Sequence, residues 1–189
     1  MRAFIAIELP HELKNILAGL QNKLKTASAD VKWVETQNIH LTLKFLGEVE
    51  DSLIPDINKV LEDTAGTNKH FPIRLSSLGA FPNIRSPRVI WAGIDKGDPE
   101  IKAIATRIEE KIAELGIAKE DKPFSSHITI GRVKTPVNRD KLEKIISDLK
   151  EGFREGSEFR ISKITLFKST LTPKGALYEA IKEVNLKAS

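Results

Sequence analysis

The sequence predicts a mixed helix-and-strand fold built from two similar halves, and three observations predict it. Apolar residues recur with period 2 in some stretches and at helical spacing in others, so strands and amphipathic helices follow one another along the chain. The order strand–helix–strand–helix–strand occurs twice at nearly one spacing: His127 lies 87 residues after His40, Arg88 86 after Arg2, Asn138 87 after Asp51, and Phe159 88 after Phe71. One alternating tetrapeptide also occurs once per half, His40-Leu41-Thr42-Leu43 and His127-Ile128-Thr129-Ile130. The halves, about 1–86 and 87–189, share pattern rather than identity, so the simplest arrangement is one bilobal domain with a pseudo-twofold axis.

Each element has a local reason. Arg2–Leu9 alternates as a strand, and Pro10 sits where a helix can begin. Leu13, Ile16, Leu17, Leu20 and Leu24 give an amphipathic helix to about Thr26. Val31–Val34 and Ile39–Phe45 read as strands, the second closed by Gly47. Asp51 or Ser52 caps a helix carrying Leu53, Ile54, Ile57, Val60 and Leu61. Phe71–Leu78 reads as one strand, Gly79–Pro87 as a loop, and Arg88–Ile94 as a strand. Asp98-Pro99-Glu100 starts a helix that runs to Gly116, with Asp98 as its cap. After a polar loop, Ile128–Val133 is a strand, Asn138 caps a helix through Leu149, and Glu158–Phe167 and Ala176–Val184 are strands joined by a turn at 172–175.

With 189 residues and 40% apolar content the chain can bury a sizeable core, and it carries no apolar run long enough to span a bilayer. Met1-Arg-Ala-Phe-Ile-Ala-Ile leads straight into Glu8 and Pro10, unlike a signal peptide, so a cytoplasmic protein is expected. The absence of Cys excludes disulfides and thiolate metal sites. The net charge of +4 mildly favours an anionic partner, and the Lys-, Glu- and Ile-rich composition leans toward a thermophilic source.

On each motif strand the His and Thr share one face and the apolar residues the other. Two imidazoles facing each other across a cleft suit acid–base chemistry, since one can be neutral while the other is protonated. Thr42 and Thr129 place hydroxyls beside His40 and His127, as an in-line displacement at phosphorus requires. Lys44 follows Thr42 by two and so shares its face as a phosphate candidate. Arg132 lies an odd five residues after His127 and points away on a regular strand; it reaches a phosphate only if Gly131 permits a bulge. His11 and His70 read as surface residues. Neither motif has an acid at ligand spacing, and the chain has no His-x-x-x-His and no Gly-x-Ser-x-Gly, so neither a metal centre nor a serine hydrolase is expected.

The two His-x-Thr-x motifs resemble those that define the 2H phosphoesterases. The flanks Met1–Leu9, Trp33-Val34, Asn38–Gly47, Gly79-Ala-Phe-Pro82, Arg88–Gly93 and His127–Arg132 resemble the RNA 2′,3′-cyclic phosphodiesterases, also called 2′-5′ RNA ligases. The resemblance implies a two-lobed α+β fold, with antiparallel sheets lining a central cleft and helices outside. It implies hydrolysis of RNA 2′,3′-cyclic phosphate ends, tRNA halves among them, by a monomer without metal or cofactor. By position, His40 matches the proton donor to the 3′ oxygen and His127 the base that activates water. Thr42 and Thr129 match phosphate-binding hydroxyls, and Arg132 a basic position after the second motif. Run backwards, the same chemistry joins a cyclic end to a 5′-hydroxyl. The serines before His127 stand where relatives often carry an aromatic residue or proline.

Two other classes fit the same residues. A non-catalytic RNA-binding module would use stacked aromatics, with Trp33, Phe81, Phe124 and Tyr178 as candidates. A phosphodiesterase for another small cyclic phosphate would share the bond type and differ in the leaving group.

Overall fold

A computed structural model describes residues 1–150, 158–173 and 175–188. In chain order the elements are β1 (Arg2–Glu8), α1 (His11–Lys25), β2 (Val31–Trp33), β3 (His40–Glu48), α2 (Ile54–Ala65), β4 (Phe71–Ile73), β5 (Leu75–Phe81), β6 (Val89–Ile94), α3 (Asp98–Glu114), β7 (His127–Val133), α4 (Arg139–Leu149), β8 (Phe159–Ile161), β9 (Lys163–Thr172) and β10 (Gly175–Asn185). Among the described residues three sheets form, with strand orders β10-β9-β1-β3, β2-β7-β6-β5 and β4-β8, and every pairing between named strands is antiparallel. This is a two-lobed α+β fold.

The halves exchange strands. The first sheet takes β1 and β3 from the first half and β9 and β10 from the second; the other sheet takes β6 and β7 from the second half and β2 and β5 from the first. The small sheet straddles the pseudo-axis: Phe71 pairs with Ile161, Pro72 with Arg160 and Ile73 with Phe159. Pro72 and Arg160, 88 residues apart, are therefore equivalent positions that face each other, as a twofold axis demands.

The outer faces of the sheets carry the helices. Helices α2 and α3 pack behind the first sheet, and α1 and α4 behind the second. Leu13, Leu17 and Leu24 on α1, Ile57 and Leu61 on α2, Ile101, Ile104, Ile108 and Ile112 on α3 and Leu142 and Ile146 on α4 are fully buried, which is what the helical spacing of these residues encodes.

Several boundaries differ from the sequence reading. The expected strand Phe71–Leu78 breaks at Arg74 into β4 and β5, which belong to different sheets. The corner is held by two bonds from the Arg74 guanidinium to Asp95, at 3.1 and 3.0 Å, and by the Arg74 N–H to the Lys96 carbonyl. The expected strand Glu158–Phe167 breaks likewise at Ser162. Gly79, Ala80 and Phe81, read as loop, continue β5, because Gly79 lets the Trp91 ring lie directly across the strand. Helix α3 is preceded at its cap position by Gly97, at φ 84°, with Asp98 already helical. Asp51 and Ser52 lie in a short 3-10 turn, and α2 begins at Ile54 with Pro55 in its first turn. Asn138 holds the cap position of α4 but donates its amide to the Ser28 carbonyl at 2.8 Å instead of capping the helix. In the expected turn at 172–175, Lys174 lies outside the described residues.

Candidate active site

Strands β3 and β7 approach each other where the two large sheets meet, and their helix-free faces line one cleft. Both strands carry the same irregularity. Ala6 pairs with Thr42 and Ile5 with Lys44, so Leu43 is an extra residue in β3; Trp91 pairs with Thr129 and Ile90 with Gly131, so Ile130 is an extra residue in β7. The two bulges lie 87 residues apart, at equivalent positions. A bulge resets the alternation of faces. Before it, His40 and Thr42, and likewise His127 and Thr129, face the cleft. After it, the fifth residue beyond each His faces the cleft instead of the fourth.

This shift decides the fate of two candidates. Arg132 pairs with Val89, shares the face of Thr129 and Trp91, and is exposed in the cleft. Gly131 takes the outward face, where an added Cβ would lie 2.8 Å from Val31 and 3.0 Å from Trp33. Lys44 pairs with Ile5 and turns to the rear of its sheet, against the sequence expectation that it shares the face of His40. Its ammonium is fully buried, 2.8 Å from the Glu109 carboxylate of α3 and 3.0 Å from the Ala118 carbonyl. The structure thus brings His40, Thr42, His127, Thr129 and Arg132 to one cleft and leaves Lys44 behind it. The bulge carbonyl of Ile130 accepts from the Val34 N–H at 3.0 Å and from the buried Gln21 amide of α1 at 2.8 Å, which also donates to Val34 at 2.7 Å.

The two imidazoles are held alike. His40 Nδ1 lies 2.7 Å from the Asn38 carbonyl, and His127 Nδ1 lies 2.8 Å from the Ser125 carbonyl. A carbonyl only accepts, so Nδ1 carries the proton in each ring and Nε2 is left as the reactive nitrogen. His40 Nε2 is 3.0 Å from the Thr42 hydroxyl. Burial pushes the His40 imidazole below its ordinary value; the Asn38 bond opposes this, and the charges of Lys14 and Arg132 add to it. Burial likewise lowers His127, with the Ser125 bond opposing and Arg132 adding. Burial raises the Tyr178 phenol, opposed by Arg132 and Arg2. The Arg132 charge therefore reaches His40, His127 and Tyr178 together.

The rings around the histidines were only partly legible in the sequence. Phe4 lies 4.8 Å and Tyr178 5.3 Å from the His40 ring between centroids, with Phe167 at 6.4 Å. Phe81 lies 5.1 Å and Trp91 6.5 Å from His127. Phe45, at the position equivalent to Arg132, faces the same cleft, with 56% exposure. Of the aromatic candidates, Phe81 and Tyr178 are in the cleft, while Trp33 packs behind Gly131 and Phe124 against the core. His11 is exposed, but His70 is half-buried, its Nε2 3.1 Å from the Leu186 carbonyl and its Nδ1 3.2 Å from Arg160. Among the described residues no cluster of three His, Asp or Glu side chains is placed to hold a metal ion.

Comparison with known proteins agrees with this geometry. The model of the LigT-like phosphoesterases matches twice, over residues 7–91 and 94–178. The chain is 37% identical to an RNA 2′,3′-cyclic phosphodiesterase of Methanothermobacter thermautotrophicus, over 94% of this chain and 95% of that one. It is 38% identical to an RNA 2′,3′-cyclic phosphodiesterase of Methanocaldococcus jannaschii, over 97% and 99%. The crystal structure of TT0787 of Thermus thermophilus superposes with a TM-score of 0.83 at 29% identity, covering 100% of this chain and 99% of that one.

Proposed function

This chain belongs to the LigT-like phosphoesterase family, and we propose that it hydrolyses the 2′,3′-cyclic phosphate ends of RNA to 2′-phosphomonoesters by acid–base catalysis between its two histidines. The observation that carries the reading is the matched pair of imidazoles, each with Nδ1 tied to a backbone carbonyl and Nε2 left for chemistry. His127 Nε2 takes a proton from water as its oxygen attacks phosphorus. The bond from phosphorus to the 3′ oxygen breaks, and His40 Nε2 supplies the proton to that oxygen, leaving the phosphate on the 2′ oxygen. Thr42, Thr129 and Arg132 hold the non-bridging oxygens as charge develops on them. With a 5′-hydroxyl in place of water as the attacking group, the same displacement forms a 2′-5′ linkage and frees the 3′ oxygen; hydrolysis dominates unless the RNA ends are held close, because water is abundant.

The test is an RNA oligomer ending in a 2′,3′-cyclic phosphate, incubated in EDTA with the wild type, His40→Ala or His127→Ala. The expected result is a 2′-phosphate product from the wild type alone. Turnover that needs a divalent metal would replace the two-histidine mechanism, and binding without turnover under any condition would replace the enzyme with an RNA-binding module.

A further inference from the structure

Besides Arg132, the cleft face of the second sheet carries a second cation. Lys32 of β2 is the direct partner of Arg132 on β7, and Arg132 is the direct partner of Val89 on β6. Directly opposed residues of an antiparallel sheet share a face. The flanking residues establish which face this is: Val31 and Trp33 occupy the space behind Gly131, so Lys32, between them, projects to the front with Arg132. The row Phe81–Val89–Arg132–Lys32 thus runs from the His127 pocket to the open edge of the sheet. Lys32 and Arg132 are both exposed. Among the described residues neither makes an ion pair, whereas Lys14, Lys44, Lys96, Lys102, Lys111, Lys144, Lys163 and Lys182 each do. Two adjacent cations on one cleft face, without internal counter-ions, are arranged for an external anion with more than one charge.

We propose that Lys32 is a substrate-binding residue that holds the phosphodiester one nucleotide upstream of the reacting phosphate, so that the RNA strand leaves the cleft over β2. The inference rests on the proposed reaction. Arg132 stands nearest the histidines and takes the reacting phosphate. Lys32, one strand spacing further out (about 4.8 Å), takes the next. A long lysine stem lets its ammonium follow the backbone without fixing a base, so the site selects for chain length and not for sequence.

The experiment compares uridine 2′,3′-cyclic monophosphate, which has no upstream phosphate, with a pentaribonucleotide ending in a 2′,3′-cyclic phosphate. In Lys32→Ala the ratio of oligomer KM to mononucleotide KM rises about three- to tenfold, and Lys32→Arg restores it. A second arm reads binding alone, using the same pentaribonucleotide with an open 3′-phosphate. The slope of log Kd against log salt falls by about 0.7 in Lys32→Ala, the value for one phosphate contact on a single strand. Lys25→Ala, at an exposed site on α1, serves as the control for general charge. A KM ratio and slope that do not move, or that move equally in the control, would overturn the assignment. Turnover of neither substrate by the wild type would remove the proposed reaction, and the salt slope would then decide Lys32 by itself.

Discussion

Gly79→Ala probes how the cleft is shaped by a single missing methyl group. Gly79, Trp91 and Thr129 lie in one row across the cleft face of the second sheet, and the indole lies flat over the glycine. An alanine Cβ there would sit 2.3 Å from Trp91 Cζ2, 2.4 Å from Cη2 and 2.8 Å from Cε2. Ordinary contact begins near 3.4 Å, so the ring must retreat by about 1.1 Å. Trp91 Cζ3 also lies only 3.2 Å from where a Cβ on Gly93 would stand, so the ring covers both glycines and has no slack toward the sheet. The rings that a movement of Trp91 disturbs are Phe81, 5.2 Å away, and His127, 6.5 Å away. Overpacking of this kind costs about 1–3 kcal/mol, which in a chain of this length lowers the melting temperature by about 2–12 °C. A displacement near 1 Å beside the reacting groups costs about 10- to 100-fold in kcat/KM. Urea unfolding followed by fluorescence of the two tryptophans, with hydrolysis of a 2′,3′-cyclic nucleotide at fixed pH, measures both quantities. A variant within about 0.5 kcal/mol of the wild type, with unchanged kcat/KM and an unmoved Trp91 in its crystal structure, would refute the reasoning.

Three further outcomes follow from the same geometry. Arg132→Gln removes a charge that lowers both histidines, so the pH profile of kcat/KM moves to higher pH while its height falls; a pH titration of rate checks the direction. Lys44→Met leaves Glu109 without its partner and lowers stability by about 3 kcal/mol, whereas Lys44→Met with Glu109→Leu recovers most of the loss, as urea unfolding of both variants would show. Gln21→Leu strips a bond from each of the Val34 and Ile130 carbonyls, costs about 1–3 kcal/mol and raises hydrogen exchange at the β7 bulge; exchange limited to helix α1 would contradict this.

The repeat, the motif strands and the helices were legible because each is written in local periodicity. Leu41 and Leu43, like Ile128 and Ile130, are buried as their alternation requires. What was not legible is where alternation stops. The bulges at Leu43 and Ile130 have no mark in the apolar pattern, since both are ordinary core residues; only Gly131 hinted at one of them. Parity counted without the bulge therefore misplaced Lys44, while the same count made the reach of Arg132 conditional on a bulge, and that condition is met. Strand exchange between the halves was equally hidden, because it depends on the corners at Arg74 and Ser162, where one apolar run turns from one sheet into another. The ring cluster around His40 joins Phe4 of β1 to Phe167 and Tyr178 of the β9–β10 hairpin, more than 160 residues further along the chain, and no local signal relates Phe4 to them.

Near-equivalent backbones carry unlike chemistry in the two halves, and this bears on how the proposed reaction is charged. At the fifth residue beyond its histidine, one motif presents Phe45 and the other Arg132. His40 sits among three rings, with Lys14 and Arg132 both disfavouring its protonated form; His127 has Arg132 alone as a cationic opponent. In the free protein both imidazoles are thus biased toward neutrality, which suits His127 as the base. His40, as the acid, needs a proton that its surroundings discourage. The substrate supplies the missing term: an anionic phosphate between the motifs offsets Arg132 and attracts a proton to His40 Nε2. The Nδ1 bond to Asn38 already favours the charged ring. Under the proposed mechanism the acid is armed by the bound phosphate and stays neutral in the empty cleft, so the same electrostatics that bind the phosphate also prepare the leaving group's proton.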